Sequence, residues 1–215
     1  MLVFVLLLSY FLGAIPFGVL VGRACGVDVQ RVGSGNTGAT NVWRALGPKM
    51  GALVFALDVF KGFAATEFAR RLLPNNANAL ALCALVVVLG HTFSIFLRGK
   101  GGKGIATAFG AMLGLIPLVA LGCFTLWGLV LGLSRTISVA SIAACIAAPL
   151  AALLTHQTLP TVGVVTLFCL VGLAKHVPNM KRLKAGTEPK IGQKKAASST
   201  RSEEQNLTNS AVTKP

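Results

Sequence analysis

Long apolar stretches separated by short polar, basic or glycine-rich segments run along almost the whole chain. The first stretch, residues 1–22, contains no charged residue. Further apolar stretches cover residues 50–69, 77–97, 105–133, 138–155 and 159–174. A helix of about 20 apolar residues is long enough to cross the hydrocarbon core of a bilayer. The pattern therefore predicts an all-α fold, a polytopic membrane bundle of helices.

The stretch 105–133 is long for one helix and short for two. Gly114, Pro117 and Gly122 offer a place for a break, because proline cannot continue a helix and glycine weakens one. Two helices also return the chain to the side from which it started, so that the basic segment 98–104 and the basic C-terminal region lie on the same side. The sequence thus predicts about seven transmembrane helices, two of them short.

Basic residues collect in three places, at 23–49, at 98–104 and after Ala174. Cytoplasmic loops of membrane proteins carry an excess of Lys and Arg, so these segments are predicted to be cytoplasmic and the N-terminus to lie outside. Arg70 and Arg71 fall on the outer side and are a mild exception. Residues 1–22 lack the basic start and the small-residue cleavage site of a signal peptide, which predicts a retained span.

Composition agrees with this interpretation. Apolar residues make up 54% of the chain and charged residues only 12%, yet the net charge is +14. A soluble domain carries about 25% charged residues, so an ordinary soluble enzyme is excluded, and no nucleic acid is expected as a partner. Residues 1–192 are predicted to form one membrane-embedded domain, and the polar residues 193–215 a disordered cytoplasmic tail.

The five cysteines show neither disulfide nor metal-ligand spacing. Four of them lie in apolar stretches, where a cysteine packs as a small hydrophobic residue. We therefore expect no metal and no cofactor.

The segment GSGNTGATNVWRALG, residues 33–47, is too polar and too rich in glycine for a simple connection. Its side chains offer hydroxyl and amide groups at Ser34, Asn36, Thr37, Thr40 and Asn41, and a guanidinium at Arg44. Glycines let the backbone approach a ligand closely, and this combination suits a phosphate. The alternative is a turn before a helix, with Arg44 against lipid headgroups.

The segment RGKGGKG, residues 98–104, comes directly before an apolar stretch. Lys100 and Lys103 flank backbone amides at the start of a predicted helix, whose dipole favours an anion. The segment has the spelling G-x-G-x-x-G, but no βαβ unit surrounds it, and Ile105 and Ala106 stand where a P-loop has Lys and Ser or Thr. The alternative is a flexible basic loop on the cytoplasmic side.

The segment 174–192 contains His176 and, three residues later, Asn179. On a helix this spacing puts both on one face, although Pro178 disturbs the local geometry. A histidine there can act as a general base or orient a hydroxyl group; the alternative is a passive interfacial histidine. His91 and His156 are weaker candidates.

Asp58 and Lys61 lie at positions i and i+3 within the second apolar stretch. Charges within a membrane are costly unless they are paired. We expect a structural pair beneath the site.

Together these segments resemble the PlsY family of bacterial membrane acyltransferases, which move a fatty acyl group from acyl-phosphate to glycerol 3-phosphate. The resemblance rests on GSGNTGATNVWRALG, GKGGKG, HVPNMKRLKAGTE and DVFKG, and extends from the first span to about Gly192. It implies that Ser34 and Arg44 belong to the active site, that the loop glycines and Lys103 bind the phosphate of glycerol 3-phosphate, and that His176 and Asn179 are needed for activity.

The residues therefore fall into three predicted groups. The catalytic group is Ser34, Arg44, His176 and Asn179. The substrate-binding group is Asn36, Thr37, Asn41, Gly99, Lys100, Gly101, Gly102, Lys103 and Gly104. The group with structural roles near the site is Asp58, Lys61, Arg182 and Glu188.

The resemblance also implies a location in the bacterial cytoplasmic (inner) membrane. It implies acyl-phosphate, glycerol 3-phosphate and the lipid bilayer as partners, together with PlsX, the soluble enzyme that produces acyl-phosphate. Because acyl-phosphate is already activated, we expect direct transfer, with a substrate phosphate as an alternative base to His176. A covalent acyl-Ser34 and a transporter for anionic solutes are the rival hypotheses.

Overall fold

The structure, a computed structural model, describes residues 1–192. The predicted tail 193–215 lies outside the described residues. The helices are α1 Leu2–Ala14, α2 Phe17–Ala24, α3 Ala39–Leu46, α4 Pro48–Leu72, α5 Ala77–Thr92, α6 Ile105–Leu115, α7 Pro117–Ser134, α8 Ile137–Leu154, α9 Leu159–Lys175 and α10 Val177–Lys184, with a 3-10 turn at Ile95–Leu97. Residues 1–192 contain no strand, and the predicted all-α class is confirmed.

Prolines set two of the helix boundaries. Residues 105–133 form two helices, as predicted, because α6 ends at Leu115 and α7 begins with Pro117. The first apolar stretch differs from the expected single helix, since Pro16 separates α1 from α2. Proline has no N–H to donate and its ring crowds the preceding turn, which accounts for both breaks.

Four segments are long and apolar enough to cross a membrane, namely Leu2–Ala24, Ala77–Leu97, Pro117–Ser134 and Ile137–Leu154. Helix α9 passes the same test only when it is taken together with α10, from which it is bent by 51°. The 25-residue helix α4 also has the length but carries several charges, and α6, with 11 residues, is about 16 Å long. A count of seven spans and an external N-terminus stay predictions.

Glycines allow the central helices to approach each other closely. Gly62 of α4 faces the carbonyl group of Thr107 in α6, and Gly110 of α6 faces that of Val59 in α4. Gly13 of α1 and Gly90 of α5 form a similar reciprocal contact across another helix pair. Small residues at helix crossings are typical of membrane bundles, where van der Waals packing replaces the hydrophobic effect as the cause of association.

The outer surface of the bundle is apolar. Leu118, Leu133, Leu154 and Leu159 are between 78% and 89% exposed. Large exposed apolar surfaces are avoided by soluble monomers, and here they provide the face that lipid covers.

Candidate active site

The starts of four helices meet around one polar cavity at one end of the bundle. Its lining includes Gly38 to Asn41 at the start of α3, Gly104 to Ala106 at the start of α6, Ile137 and Ser138 of α8, and His176 and Asn179 around the start of α10. The first amide groups of a helix have no partner within the helix, and the helix dipole places partial positive charge there. The cavity is therefore suited to anions.

This convergence also explains the order of the helices. Lys103 precedes α6 and Ser138 follows α7, yet both line the same cavity. The pair α6 and α7 must therefore leave this end of the bundle and return to it. The same holds for α8 and α9, because Ser138 and His176 both line the cavity.

Asn41 holds the first glycine-rich segment in place. Its side-chain oxygen accepts hydrogen bonds from the amide nitrogen of Ser34, at 2.9 Å, and from Ser34 Oγ, at 3.2 Å. Its side-chain nitrogen donates to the carbonyl groups of Val29 and Val32. Gly33 adopts φ +62° and a methyl group there would overlap Asn41 Oδ1. Asn41 is 1% exposed and therefore supports the loop that presents Ser34 to the cavity.

Arg44 lies one helical turn after Asn41 and lines the same cavity. It also lines a wider opening, the vestibule, with Ser34, Arg182 and Lys190. Burial lowers the pKa of Arg44 and the nearby Glu188 carboxylate opposes that change; an arginine nonetheless stays charged at neutral pH. A permanently charged guanidinium group thus lies where the cavity meets the vestibule.

Most backbone amides of the second glycine-rich segment, residues 98–104, donate hydrogen bonds to carbonyl groups of the protein itself. The amide groups of Gly101 and Gly102 donate to the carbonyl oxygens of Thr92 and His91, both at 3.2 Å. The amide of Gly99 donates to Ser94, and that of Lys100 to Leu97. The expectation that bare amides of this loop face an anion is wrong for these four residues, because two of the amides cap the end of α5 and the other two close the 3-10 turn that follows it.

Of the second segment and the helix that follows it, the start of α6 is the part whose backbone lines the cavity. Gly104 has φ +80°, a conformation that glycine adopts without strain, and it turns the chain into α6. Gly104, Ile105 and Ala106 line the cavity.

Lys103 extends from this turn and donates a short hydrogen bond to Asn179 Oδ1. Burial lowers the pKa of Lys103 to about 8; the Glu188 carboxylate opposes this, while Arg182 and Arg44 add to it. The ammonium group is thus charged at neutral pH, but it loses its proton more readily than a lysine in water does.

Glu188 organises the third segment. Its Oε1 accepts from Asn179 Nδ2 at 2.6 Å and from Ser138 Oγ at 2.9 Å, and its Oε2 accepts from Arg182 Nε at 2.6 Å. Burial raises the pKa of Glu188, but these hydrogen bonds and the charge of Arg182 outweigh it and lower the pKa overall. An ionised Glu188 thus links α8 to α10.

His176 lies at the junction of α9 and α10 and is 2% exposed. Its Nδ1 lies 2.8 Å from the carbonyl oxygen of Gly172. A carbonyl oxygen only accepts, so Nδ1 carries the proton, and in the neutral ring Nε2 is left as an acceptor. Burial and then the charge of Lys103 lower the pKa of His176 to about 4. The ring is therefore neutral at pH 7.

Asp58 and Lys61 form the expected ion pair, with 2.8 Å between Asp58 Oδ1 and Lys61 Nζ. Asp58 also lies 3.5 Å from His91 Nδ1, and both Asp58 and His91 line the cavity. His91, a weaker candidate in the sequence, is thus closer to the site than its position in an apolar stretch suggested.

The tertiary structure separates the predicted site residues into two sets. The cavity is lined by Ser34, Asn36, Asn41, Arg44, Asp58, Lys103, Gly104, His176, Asn179 and Glu188. Set back from it are Thr37, which is buried, Lys61, Gly101, Gly102, Arg182 and the exposed Gly99 and Lys100. The catalytic, substrate-binding and structural roles of both sets stay predictions.

Sequence reasoning missed Trp127, Ser138 and Ser141, which also line the cavity. Trp127 Nε1 donates to Ser141 Oγ at 3.2 Å. The only signal in the sequence was the pair of serines, three residues apart, at the start of an apolar stretch.

An apolar groove continues from the polar cavity into the bundle. The two share Phe55, Lys103, Gly104, Ile105 and Trp127. Away from the cavity the groove is lined by Ala108, Phe109 and Met112 of α6, Cys123 and Phe124 of α7, Ala144, Cys145 and Ala148 of α8, and Phe168 and Cys169 of α9. The polar cavity thus opens directly onto a groove with an apolar lining.

Comparison with known proteins yields one family. The sequence model of the family described as glycerol-3-phosphate acyltransferase matches residues 3–186. A glycerol-3-phosphate acyltransferase of Rubrobacter xylanophilus is 45% identical over 194 residues, covering 88% of this chain and 95% of that protein. One of Thermus thermophilus is 45% identical over 195 residues, covering 91% and 98%.

A solved structure has the same fold. The crystal structure of PlsY (YgiH), an integral membrane glycerol 3-phosphate acyltransferase in its glycerol 3-phosphate form, superposes with a TM-score of 0.86 and 38% identity, covering 89% of this chain and 96% of that one. Its lysophosphatidic acid form gives a TM-score of 0.83 at the same identity.

Proposed function

The chain belongs to the glycerol-3-phosphate acyltransferase family of integral membrane enzymes, and we propose that it moves a fatty acyl group from acyl-phosphate directly to glycerol 3-phosphate. The products are lysophosphatidic acid and phosphate. The enzyme acts in the bacterial cytoplasmic (inner) membrane, with its site on the cytoplasmic side, where the basic segments are predicted to lie.

The observation that carries this proposal is the meeting of four helix starts, Arg44 and Lys103 around one cavity. Two phosphate groups, one on each substrate, need several donors and positive charges, and this arrangement supplies both. The vestibule, lined by the half-buried Arg182 and the exposed Lys190, provides an entrance for the polar acceptor.

The apolar groove beside the cavity accounts for the fatty acyl chain. An acyl chain in the groove places its carbonyl group at the shared residues Lys103, Gly104 and Ile105, beside the anion site. The donor reaches the groove from the bilayer, and PlsX supplies it as a soluble partner enzyme.

In the transfer step, a hydroxyl oxygen of glycerol 3-phosphate attacks the acyl carbonyl carbon and forms the new ester bond. The bond between this carbon and the phosphate oxygen breaks, and the electron pair leaves with phosphate. Arg44 and Lys103 bind the phosphates and stabilise the charge on the leaving group. The hydroxyl proton passes to a base near the attacking oxygen.

His176 fits the role of hydrogen-bond acceptor for that hydroxyl group. Its Nδ1 donates to Gly172, which leaves Nε2 to accept. With a pKa of about 4 the ring is a weak base, so it orients the hydroxyl group while a substrate phosphate takes the proton.

Direct transfer is also supported by the surroundings of Ser34. A nucleophilic serine needs a base to take its proton, whereas Ser34 Oγ donates to the amide oxygen of Asn41. When substrate binds, the Ser34 hydroxyl turns away from Asn41 and donates instead to a phosphate or to the developing oxyanion.

Purified protein in detergent, supplied in parallel with acyl-phosphate, acyl carrier protein and coenzyme A donors, tests the proposal. We expect lysophosphatidic acid from acyl-phosphate, and a transporter would give none. Radiolabelled acyl-phosphate without acceptor should leave Ser34 unlabelled; a labelled serine would rule out direct transfer.

A further inference from the structure

A buried polar cluster lies beneath the loop 98–104, and the transfer step proposed above does not use it. It comprises Asp58, Lys61, His91 and Thr107, which are 2%, 1%, 8% and 0% exposed. His91 Nδ1 lies 3.5 Å from Asp58 Oδ1 and 3.1 Å from Thr107 Oγ1. Lys61 balances the charge of Asp58 and also donates to the carbonyl oxygen of Ile15, at the break between α1 and α2. Contacts from two helices, α4 through Asp58 and α6 through Thr107, therefore hold the orientation of the His91 ring.

The opposite edge of this ring supports the glycine loop. A methyl group on Gly102 would overlap His91 Nε2, so ring and backbone are in direct contact. The carbonyl oxygen of His91 also accepts from the amide of Gly102, at 3.2 Å. Both the ring and the main chain of one residue thus fix Gly102.

Lys103 follows Gly102 directly and reaches into the cavity, and Gly104 then begins the turn into α6. A displacement of Gly102 therefore moves both the ammonium group and the anion-binding amides. A misplacement of about 1 Å in a positioned group can cost about a hundredfold in rate or affinity.

We propose that His91, oriented by Asp58 and Thr107, is a positioning residue that holds Gly102 and thereby sets the affinity of Lys103 and the start of α6 for the phosphate of glycerol 3-phosphate. The identity of this ligand rests on the proposed function. His91 acts through the loop and does not exchange a proton with the substrate.

A double-mutant cycle tests the contact between His91 and Gly102. His91→Asn removes the ring that supports the loop and should raise the KM for glycerol 3-phosphate about tenfold, with kcat and the KM for acyl-phosphate within threefold. Gly102→Ala should raise the same KM by a similar factor, because the methyl group pushes against the ring. In the combined variant the methyl group occupies the space that the ring leaves, so its KM should match the larger single effect.

The matched control is His156→Asn. His156 is exposed, lies at the far end of α8 and has φ +54°, a conformation that asparagine tolerates well. We expect unchanged kinetics. The melting temperature in detergent should match the wild type in His156→Asn, and it should fall in the His91 and Gly102 variants, because their substitutions remove or crowd a buried ring.

Three results would overturn the proposal. Independent effects, which multiply to about a hundredfold in the combined variant, would mean that the two residues do not act through their contact. A large loss of kcat at unchanged KM would make His91 a catalytic base. A loss of melting temperature with both KM values changed would make its role purely structural.

Thermal stabilisation by glycerol 3-phosphate and by inorganic phosphate separates this inference from the proposed function. Both should stabilise the wild-type protein more than the His91→Asn variant without any acyl donor. If the wild type binds phosphate in this way but transfers no acyl group, the proposed function fails and the positioning role stands. If phosphate stabilises both proteins equally, the positioning role fails.

Discussion

The side-chain amide of Asn179 donates a hydrogen bond of 2.6 Å to Glu188. Its oxygen accepts from Lys103, so Asn179 connects the carboxylate to the ammonium group at the cavity. Both polar atoms of Asn179 are thus engaged with protein, and its side chain holds Lys103 in position.

Glu188→Gln should damage this network although the side chain keeps its size. Glu188 accepts from Asn179, Ser138 and Arg182, and the amide of glutamine turns a donor toward one of them. An unsatisfied buried donor costs about 1–3 kcal/mol, so we expect a lower melting temperature in detergent and a reduced kcat/KM. Glu67→Gln is the control: Glu67 pairs with the exposed Arg71 at 3.0 Å, and such a pair contributes little. Equal effects of both substitutions would contradict the assigned role of Glu188.

The kcat/KM for glycerol 3-phosphate should fall at alkaline pH. Burial lowers the pKa of Lys103 to about 8, so above this pH the free enzyme loses the positive charge that binds phosphate. We expect a fall of about tenfold per pH unit beyond the pKa. In Lys103→Arg the guanidinium stays protonated, and the decline should disappear from the pH profile even if activity is lower. The same decline in that variant would assign the titration to another group.

Arg44→Ala should raise the KM for glycerol 3-phosphate by roughly 10- to 100-fold, because it removes a charge-assisted hydrogen bond to the phosphate, whose free energy corresponds to a factor of about this size. Arg31→Ala is the matched control, because Arg31 has a side chain 87% exposed and pairs only at the surface with Asp28. Steady-state kinetics with both substrates varied measures the effect. An unchanged KM in Arg44→Ala would remove this residue from phosphate binding.

Ala148→Leu should narrow the apolar groove at a distance from the chemistry. Ala148 follows Ser141 by seven residues on α8, a rise of about 10 Å, and lines the groove while Ser141 lines the cavity. We expect the kcat/KM for palmitoyl phosphate to fall about tenfold, because the larger side chain displaces about two methylene groups of the acyl chain from the groove. The kcat/KM for octanoyl phosphate should stay the same.

Ala147→Leu, beside it on α8 and outside the groove lining, should leave the chain-length preference as in the wild type. Equal losses with palmitoyl and octanoyl phosphate in Ala148→Leu would argue against acyl binding in the groove.

The membrane fold and the three polar segments that meet at the cavity are predictable from the sequence alone. Apolar length and proline position are local properties, and in a bilayer each helix must satisfy its own backbone. This is why the break at Pro117 was predictable. The bend at Pro16 was missed because a continuous apolar run masked it.

Which polar groups contact each other is visible only in the tertiary structure. The amides of Gly101 and Gly102 are taken up by α5, Asn179 joins Lys103 to Glu188, and His91 supports Gly102. Each of these contacts joins a loop residue to a residue of a helix, and the partners depend on how the helices and loops pack. Hydrophobic periodicity specifies that a helix is buried, but it does not specify which buried polar atom it will meet.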